Sequence, residues 1–159
     1  MEQIIAVVRG FDGALVLAPE PGGDFPEAAW GDTFCYYAPD GRLPRNVQPY
    51  ATVVTENQPG DTASDLDPPN RWRVNIRVDR AVFEELTGEE QRNLGRPRDY
   101  AATDRVMPHP VYGALGWISV VNPGASTRNT VLRLLRDAHD AARARYERRR
   151  RQERPPGDD

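Results

Sequence analysis

Residues Arg71 to Val78 alternate without a break. Trp72, Val74, Ile76 and Val78 stand at one parity; Arg71, Arg73, Asn75 and Arg77 stand at the other. Successive strand side chains point to opposite faces, so this is a strand with one apolar and one polar side. Strands of parallel sheets read as unbroken apolar runs, whereas one-sided alternation belongs to an antiparallel sheet with a solvated face. The apolar face needs a cover, and amphipathic helices elsewhere in the chain must supply it. The polar face would carry a basic ladder. Arg71, Arg73 and Arg77 form that ladder, which can hold a phosphate or carboxylate through paired guanidinium N–H groups, with Arg73 and Arg77 as the leading candidates. The bland alternative is a solvated ladder paired with Glu84, Glu85, Glu89 or Glu90.

The flanking sequence supplies more strands and the helices. Ala14–Ala18, Thr33–Ala38 and Tyr50–Thr55 read as strands bounded by Pro/Gly/Asp turns. Ile4, Ile5, Val7, Val8 and Phe11 place one apolar face on a short helix over residues 2–9, which must dock on the sheet because it is marginal alone. Asp79 is positioned to cap a helix over 80–87 that buries Val82, Phe83 and Leu86. Thr87-Gly88-Glu89-Glu90 has the capping-box pattern and predicts a second turn of helix to Leu94. Ser126 or Thr127 can cap a long final helix with the stripe Val131, Leu134, Leu135, Ala138, Ala142 and Tyr146. The stripe ends before Arg148, so residues 1–146 are expected to form one α+β domain and 147–159 a basic, disordered tail. Residues 57–70, rich in Pro, Gly and Asp, are a long loop, either a plain surface loop or a functional one. Residues 98–107 give no clear pattern.

Composition excludes several chemistries. All 21 basic residues are arginine. Without lysine there is no Schiff-base chemistry and no P-loop lysine. Residues 1–142 carry a net charge of -6 and residues 143–159 a net charge of +3. An acidic body with a short basic end is not the footprint of a dedicated DNA-binding protein. Cys35 is the only cysteine, which rules out an internal disulfide and favours a reducing cytoplasm. No apolar run is long enough to span a membrane, and the first residues lack the pattern of a signal peptide. His109 and His139 are the only histidines and are far apart in sequence, so no metal site is expected, and no cofactor motif is present.

The stretch Pro108-His109-Pro110-Val111-Tyr112-Gly113-Ala114-Leu115-Gly116-Trp117-Ile118 concentrates the candidate chemistry. Prolines on both sides restrict the backbone at His109. With Tyr112 as hydrogen-bond partner and a carboxylate such as Asp32 or Asp104 nearby, His109 can serve as a general acid or base. The competing reading is a turn histidine packed on an aromatic ring. Trp30, Tyr36, His109, Tyr112 and Trp117 are the residues expected to border an aromatic pocket between sheet and helices, with ordinary core packing as the alternative.

Several motifs resemble the YjbR/MmcQ-like (double-wing) proteins: Trp30-Gly31-Asp32, Val74-Asn75-Ile76-Arg77-Val78-Asp79, Phe83-Glu84-Glu85-Leu86-Thr87, Pro108-His109-Pro110-Val111-Tyr112, Gly116-Trp117-Ile118 and Leu134-Leu135-Arg136-Asp137-Ala138. Within that group the chain is most similar to an uncharacterised actinobacterial set of unknown function. The resemblance implies an α+β fold with a single antiparallel sheet packed by N-terminal and long C-terminal helices. It also implies nucleic-acid binding, by fold analogy alone. Relatives often carry basic residues after the first strands, where this chain has Asp61, Asp65 and Asp67. The expected function is a cytoplasmic small-molecule-binding protein with a small organic ligand. The alternatives are a cofactor-independent enzyme built on His109, and a weak nucleic-acid binder using Arg73, Arg77 and the basic tail. Oligomeric state is left open.

Overall fold

The computed structural model describes residues 1–154, 156 and 157. The elements in chain order are α1 (Glu2–Arg9), β1 (Ala14–Leu17), β2 (Thr33–Tyr37), β3 (Ala51–Val54), β4 (Arg73–Arg77), α2 (Arg80–Thr87), β5 (Met107–Pro108), β6 (Trp117–Val121) and α3 (Arg128–Glu153). The six strands form one sheet in the order β1-β2-β3-β4-β6-β5. Every neighbouring pair is antiparallel. This is the expected α+β architecture. β4 lies between β3 and β6, so it is a central strand and offers no edge for pairing with another chain.

The cross-strand register sorts the two faces. Cys35, Ala51, Val53, Val74, Ile76, Ile118 and Val120 share one parity and lie under α1 and α3. Ile4, Ile5 and Val8 from α1 and Val131, Leu134, Leu135 and Ala138 from α3 complete this core. Val7, expected on the same face of α1, is exposed. Burying a Leu or Ile side chain contributes about 1.5–3 kcal/mol, so this layer is the main source of stability.

The other parity departs from expectation. Arg73 and Asn75 are 1% and 3% exposed, so the supposed wet face is covered. The cover is the loop 56–70 together with residues 101–112. The loop is a built element: Asn57 donates its amide to Asp67 and accepts from the Leu66 amide, and Leu66 is buried beneath it. Arg71 ties the loop down by donating to the carbonyls of Ser64, Asp65 and Ala101. Alternation in the sequence marked two chemically different faces. It did not mark which one meets water, because the covering loop, although it runs directly into β4, has neither a strand nor a helical period.

Three terminations also differ from expectation. Gly88 adopts a left-handed conformation and stops α2, so Thr87 caps nothing and bonds back to the Phe83 carbonyl. Residues 89–94 form turns instead of a second helix. Thr127 stands at the N-cap of α3 but makes no side-chain cap; the Asp104 carboxylate accepts from the amides of Gly124, Ser126 and Thr127 and from the Thr127 hydroxyl, and so holds the turn that leads into the helix. The Thr127 hydroxyl and then those amides hold the Asp104 carboxyl down at about 2. Finally, α3 runs on to Glu153, past the expected end at Tyr146. Pro155, Asp158 and Asp159 of the expected tail lie outside the described residues.

Gly13 links α1 to β1 at φ 74°, and a Cβ there would stand 2.5 Å from the Tyr37 ring. Left-handed φ costs an L-residue roughly 1–2 kcal/mol before any clash. Gly13→Ala is therefore expected to lower the thermal midpoint by about 4–8 °C, at 2–4 °C per kcal/mol for a chain of this size. An unchanged melt would mean that the Tyr37 ring swings aside freely.

Candidate functional site

A buried polar network and two surface clefts make up the candidate regions. The first is the buried network under the loop. Thr52, Asn75 and Ser119 are direct cross-strand neighbours on β3, β4 and β6. Asn75 donates to the Thr52 hydroxyl at 3.0 Å, and its carbonyl accepts from Ser119 Oγ at 2.8 Å and from Arg73 Nε at 2.8 Å. The Arg73 guanidinium then forks onto Asp61, with Nη1 to Oδ1 at 2.9 Å and Nη2 to Oδ2 at 2.5 Å, and Nη1 also reaches Ser64 Oγ at 2.9 Å. The bidentate carboxylate recognition expected of Arg73 occurs, but the carboxylate belongs to the chain's own loop. None of the glutamates expected to pair the ladder does so; Glu89 instead pairs with Arg98 at 2.8 Å and accepts from the amides of Gly95 and Arg96.

His109 borders this network. Its Nδ1 accepts from the amides of Val111 and Tyr112, both at 3.0 Å, so the neutral ring carries its proton on Nε2. Nε2 lies 3.2 Å from Arg73 Nη2 and 3.9 Å from Asp61 Oδ2. A second positive charge is disfavoured there. Burial first, and then the Arg73 guanidinium, push His109 down to about 4, against the opposing pull of Asp61. The ring is buried and packs 5.0 Å from the Tyr112 ring. Tyr112 meets His109 through its backbone amide and ring face, and its side chain is largely exposed.

Neither carboxylate expected beside His109 is there. Asp104 holds the turn that leads into α3. Asp32 accepts from the Thr55 amide at 3.1 Å, and burial raises it to about 6. Of the expected aromatic pocket, His109, Tyr112 and Trp117 are joined through backbone hydrogen bonds. Trp30 bonds the Phe25 carbonyl at the head of β2, and Tyr36 lies within β2, three strands from β6. Cys35 is buried, and desolvation lifts its thiol to about 12, which keeps it unreactive.

The second region is a cleft of about 360 Å³ where the end of β4 meets α2 and α3. Its apolar lining is Val78, Val82, Leu134, Ala138 and Ala141, and its polar lining is Tyr50, Arg77, Asp79, Asp137 and Arg145. The cleft exists because α3 presents alanines here, where larger side chains would close it. Tyr50 is fixed at its base by donating to His139 Nδ1 at 2.9 Å, while His139 Nε2 donates to the Asp12 carbonyl at 2.8 Å. Asp79 is engaged in capping α2 through the Val82 amide. Arg77 and Arg145 make no ion pair among the described residues. Burial, then Arg77, Arg149 and Arg148, lower the Arg145 pKa, the mark of a locally positive field.

A further cleft, of about 540 Å³, lies between residues 97–107, Leu86 and the start of α3. Its cations, Arg98 and Arg105, face Asp99 in the lining, Glu89 on Arg98, and Asp104 on the neighbouring amides. Negative charge already balances it. Neither cleft is lined by Trp30, Tyr36, His109, Tyr112 or Trp117. Among the described residues, no cluster of three or more His, Cys, Asp or Glu side chains can hold a metal ion. No described helix is long and apolar enough to cross a membrane.

Sequence reasoning placed Arg73, Arg77 and His109 as candidates and missed Asp61, Ser64, Ser119 and the Tyr50–His139 pair. A usable signal existed for α3: Asp137, Ala141 and Arg145 recur every four residues beside the core stripe.

No curated protein and no solved structure matches the chain. A family model described as "Family of unknown function (DUF6194)" matches residues 1–151, and the chain belongs to that family.

Proposed function

We propose that this DUF6194 protein is a small-molecule-binding protein, and that its ligand enters the cleft between the end of β4, α2 and α3. The observation that carries this reading is the cleft itself: about 360 Å³, apolar at its base and walled by regular elements. Ligand sites are of this size and character, and sites on helices and strands hold their geometry. The reading moves the ligand from the aromatic residues expected to hold it. Arg77 alone among the expected site residues lines the cleft. The cytoplasmic placement belongs to the same proposal, supported by one buried, unpaired cysteine, and so does the YjbR/MmcQ-like relationship, supported by the shared motifs.

The enzyme reading built on His109 is the weaker one. Nδ1 is bound by two amides, and Nε2 faces a guanidinium, so neither nitrogen is free to exchange a proton with a substrate. The nucleic-acid reading loses Arg73 to Asp61, leaving Arg77 and the exposed Arg148–Arg151 run against an acidic body.

The test is a thermal-shift screen with charged and neutral small metabolites, repeated on Ala141→Phe. Ala141 is exposed at the cleft wall, so the larger ring fills the cavity without entering the core. A ligand at a hundred times its Kd adds about 2.7 kcal/mol. That corresponds to a rise of roughly 5–10 °C in the melting midpoint. The rise should vanish in Ala141→Phe. No shift with any compound, or a shift that survives the filling, overturns the proposal.

A further inference from the structure

The ligand class follows from the charges around the same cleft, and the inference rests on the reading above. We infer that the cleft selects an oxyanion carrying a compact apolar body: Arg77 and Arg145 hold the acid group, and Val78, Val82, Leu134, Ala138 and Ala141 cover the body.

Four observations support this. Arg77 and Arg145 line one cavity, and neither is paired with a carboxylate among the described residues. Arg148 and Arg149 lie close enough to act on Arg145 electrostatically. The lining itself sets two carboxylates, Asp79 and Asp137, beside the two arginines. Asp79 is turned onto the Val82 amide, which leaves Asp137 as the one unengaged acid. Arg77 and Arg145 therefore keep guanidinium donors that no carboxylate engages among the described residues, unlike Arg98 in the other cleft, which is paired with Glu89. Guanidinium groups are weakly hydrated and present donors in a planar fork, so two of them around a half-enclosed space favour a carboxylate or phosphate over a neutral group.

The base of the cleft sets the rest of the molecule. Tyr50 has its hydroxyl committed to His139, and it offers the ligand only its ring. The remaining base is aliphatic, so the body of the ligand needs no hydrogen-bonding groups of its own. At about 30 Å³ per water-sized atom, the space holds roughly a dozen non-hydrogen atoms. Aryl- and alkyl-carboxylic acids, or aryl phosphates, have this size and division of character.

The experiment uses isothermal titration of the full chain with four probes: 3-phenylpropionate, its neutral amide, phenyl phosphate and inorganic phosphate. The expected result is that one or both organic acids bind at least tenfold tighter than the amide, and that inorganic phosphate binds weakest. Arg145→Gln should abolish the preference of acid over amide, whereas Asp137→Asn should strengthen acid binding. Arg77→Gln, at an exposed position, serves as a second test if Arg145→Gln disturbs folding. Which organic acid binds tighter distinguishes a carboxylate from a phosphate ligand. An amide that binds as well as the acids overturns the ligand class and leaves the cleft as the binding site. Inorganic phosphate binding as tightly as the organic acids overturns the role of the apolar base. Absence of binding by all four, together with an empty thermal-shift screen, removes the binding reading as well.

Discussion

Asp61→Ala is expected to lower folding stability by about 3–5 kcal/mol, the cost of leaving a buried charge without its partner. The Arg73 side chain is 2% exposed, and Asp61 supplies both oxygens of its fork. Without Asp61, the guanidinium retains only Asn75 and Ser64, two neutral acceptors, for a full positive charge. A domain of ordinary stability has about 5–15 kcal/mol in total, so the single change removes a large fraction of it. The double variant Arg73→Met with Asp61→Leu should recover most of the loss, because no charge then remains buried. Urea denaturation of the two variants reads the difference. A loss below about 1 kcal/mol in Asp61→Ala would mean that the loop is not what holds Arg73 in place.

Asp32 and His109 should give the second largest effect, in the pH dependence of stability. Burial raises Asp32 from 3.8 to about 6 and lowers His109 from 6.5 to about 4. Between those values the folded protein holds a proton on Asp32 that the unfolded chain releases, so this group makes stability fall as pH rises. His109 acts oppositely: the unfolded chain is protonated where the folded one is not, so stability rises with pH from about 4 to 6.5. Each displacement is worth about 3 kcal/mol at 1.36 kcal/mol per pH unit. The wild type is therefore expected to be nearly flat between pH 4.5 and 6. Below that range the depressed carboxyls Glu89, held down by Arg98, and Asp104 release their stabilisation as they protonate. Asp32→Asn unmasks the histidine and should gain up to about 3 kcal/mol between pH 4.5 and 6.5. His109→Asn, whose carbonyl can still accept from the Val111 and Tyr112 amides, should show the reverse slope. Parallel, flat profiles in both variants would refute the opposed titration.

Much of the fold was legible in the sequence for a simple reason. Period two at Arg71–Val78 and the apolar stripe of α3 are local consequences of backbone geometry, and they survive in any context that buries one side. The same logic gave α1 and α2, including the Asp79 cap, whose side chain accepts from Val82 as predicted. The failures have physical causes of equal simplicity. Thr87-Gly88-Glu89-Glu90 matched a capping box, but the glycine took the left-handed conformation that ends a helix, and Glu90, the glutamate of the box, accepts from the Asn93 side chain instead of reaching back to Thr87. The turn leading into α3 is held by Asp104, at a sequence distance where local pattern has no reach.

The candidate site was less legible than the fold. Arg77 was marked by strand parity, but Arg145 looked like one arginine in a basic helix end. His109 stood out because prolines flank it; its surroundings then made it a neutral, buried ring beside a guanidinium. The sequence by itself determined β1 to β4, the three helices apart from the end of α3, the antiparallel sheet, the helical face that covers it, and the chemistries that an all-arginine, single-cysteine chain lacks. Only the tertiary structure decided which face of β4 is wet, which carboxylate meets Arg73, and where α3 leaves a space beside two unpaired cations. Those are tertiary contacts, made between a strand and the loop before it or between elements far apart in the chain. They depend on how loops without periodicity close over a sheet, and burial and charge pairing become defined only once that closure has occurred.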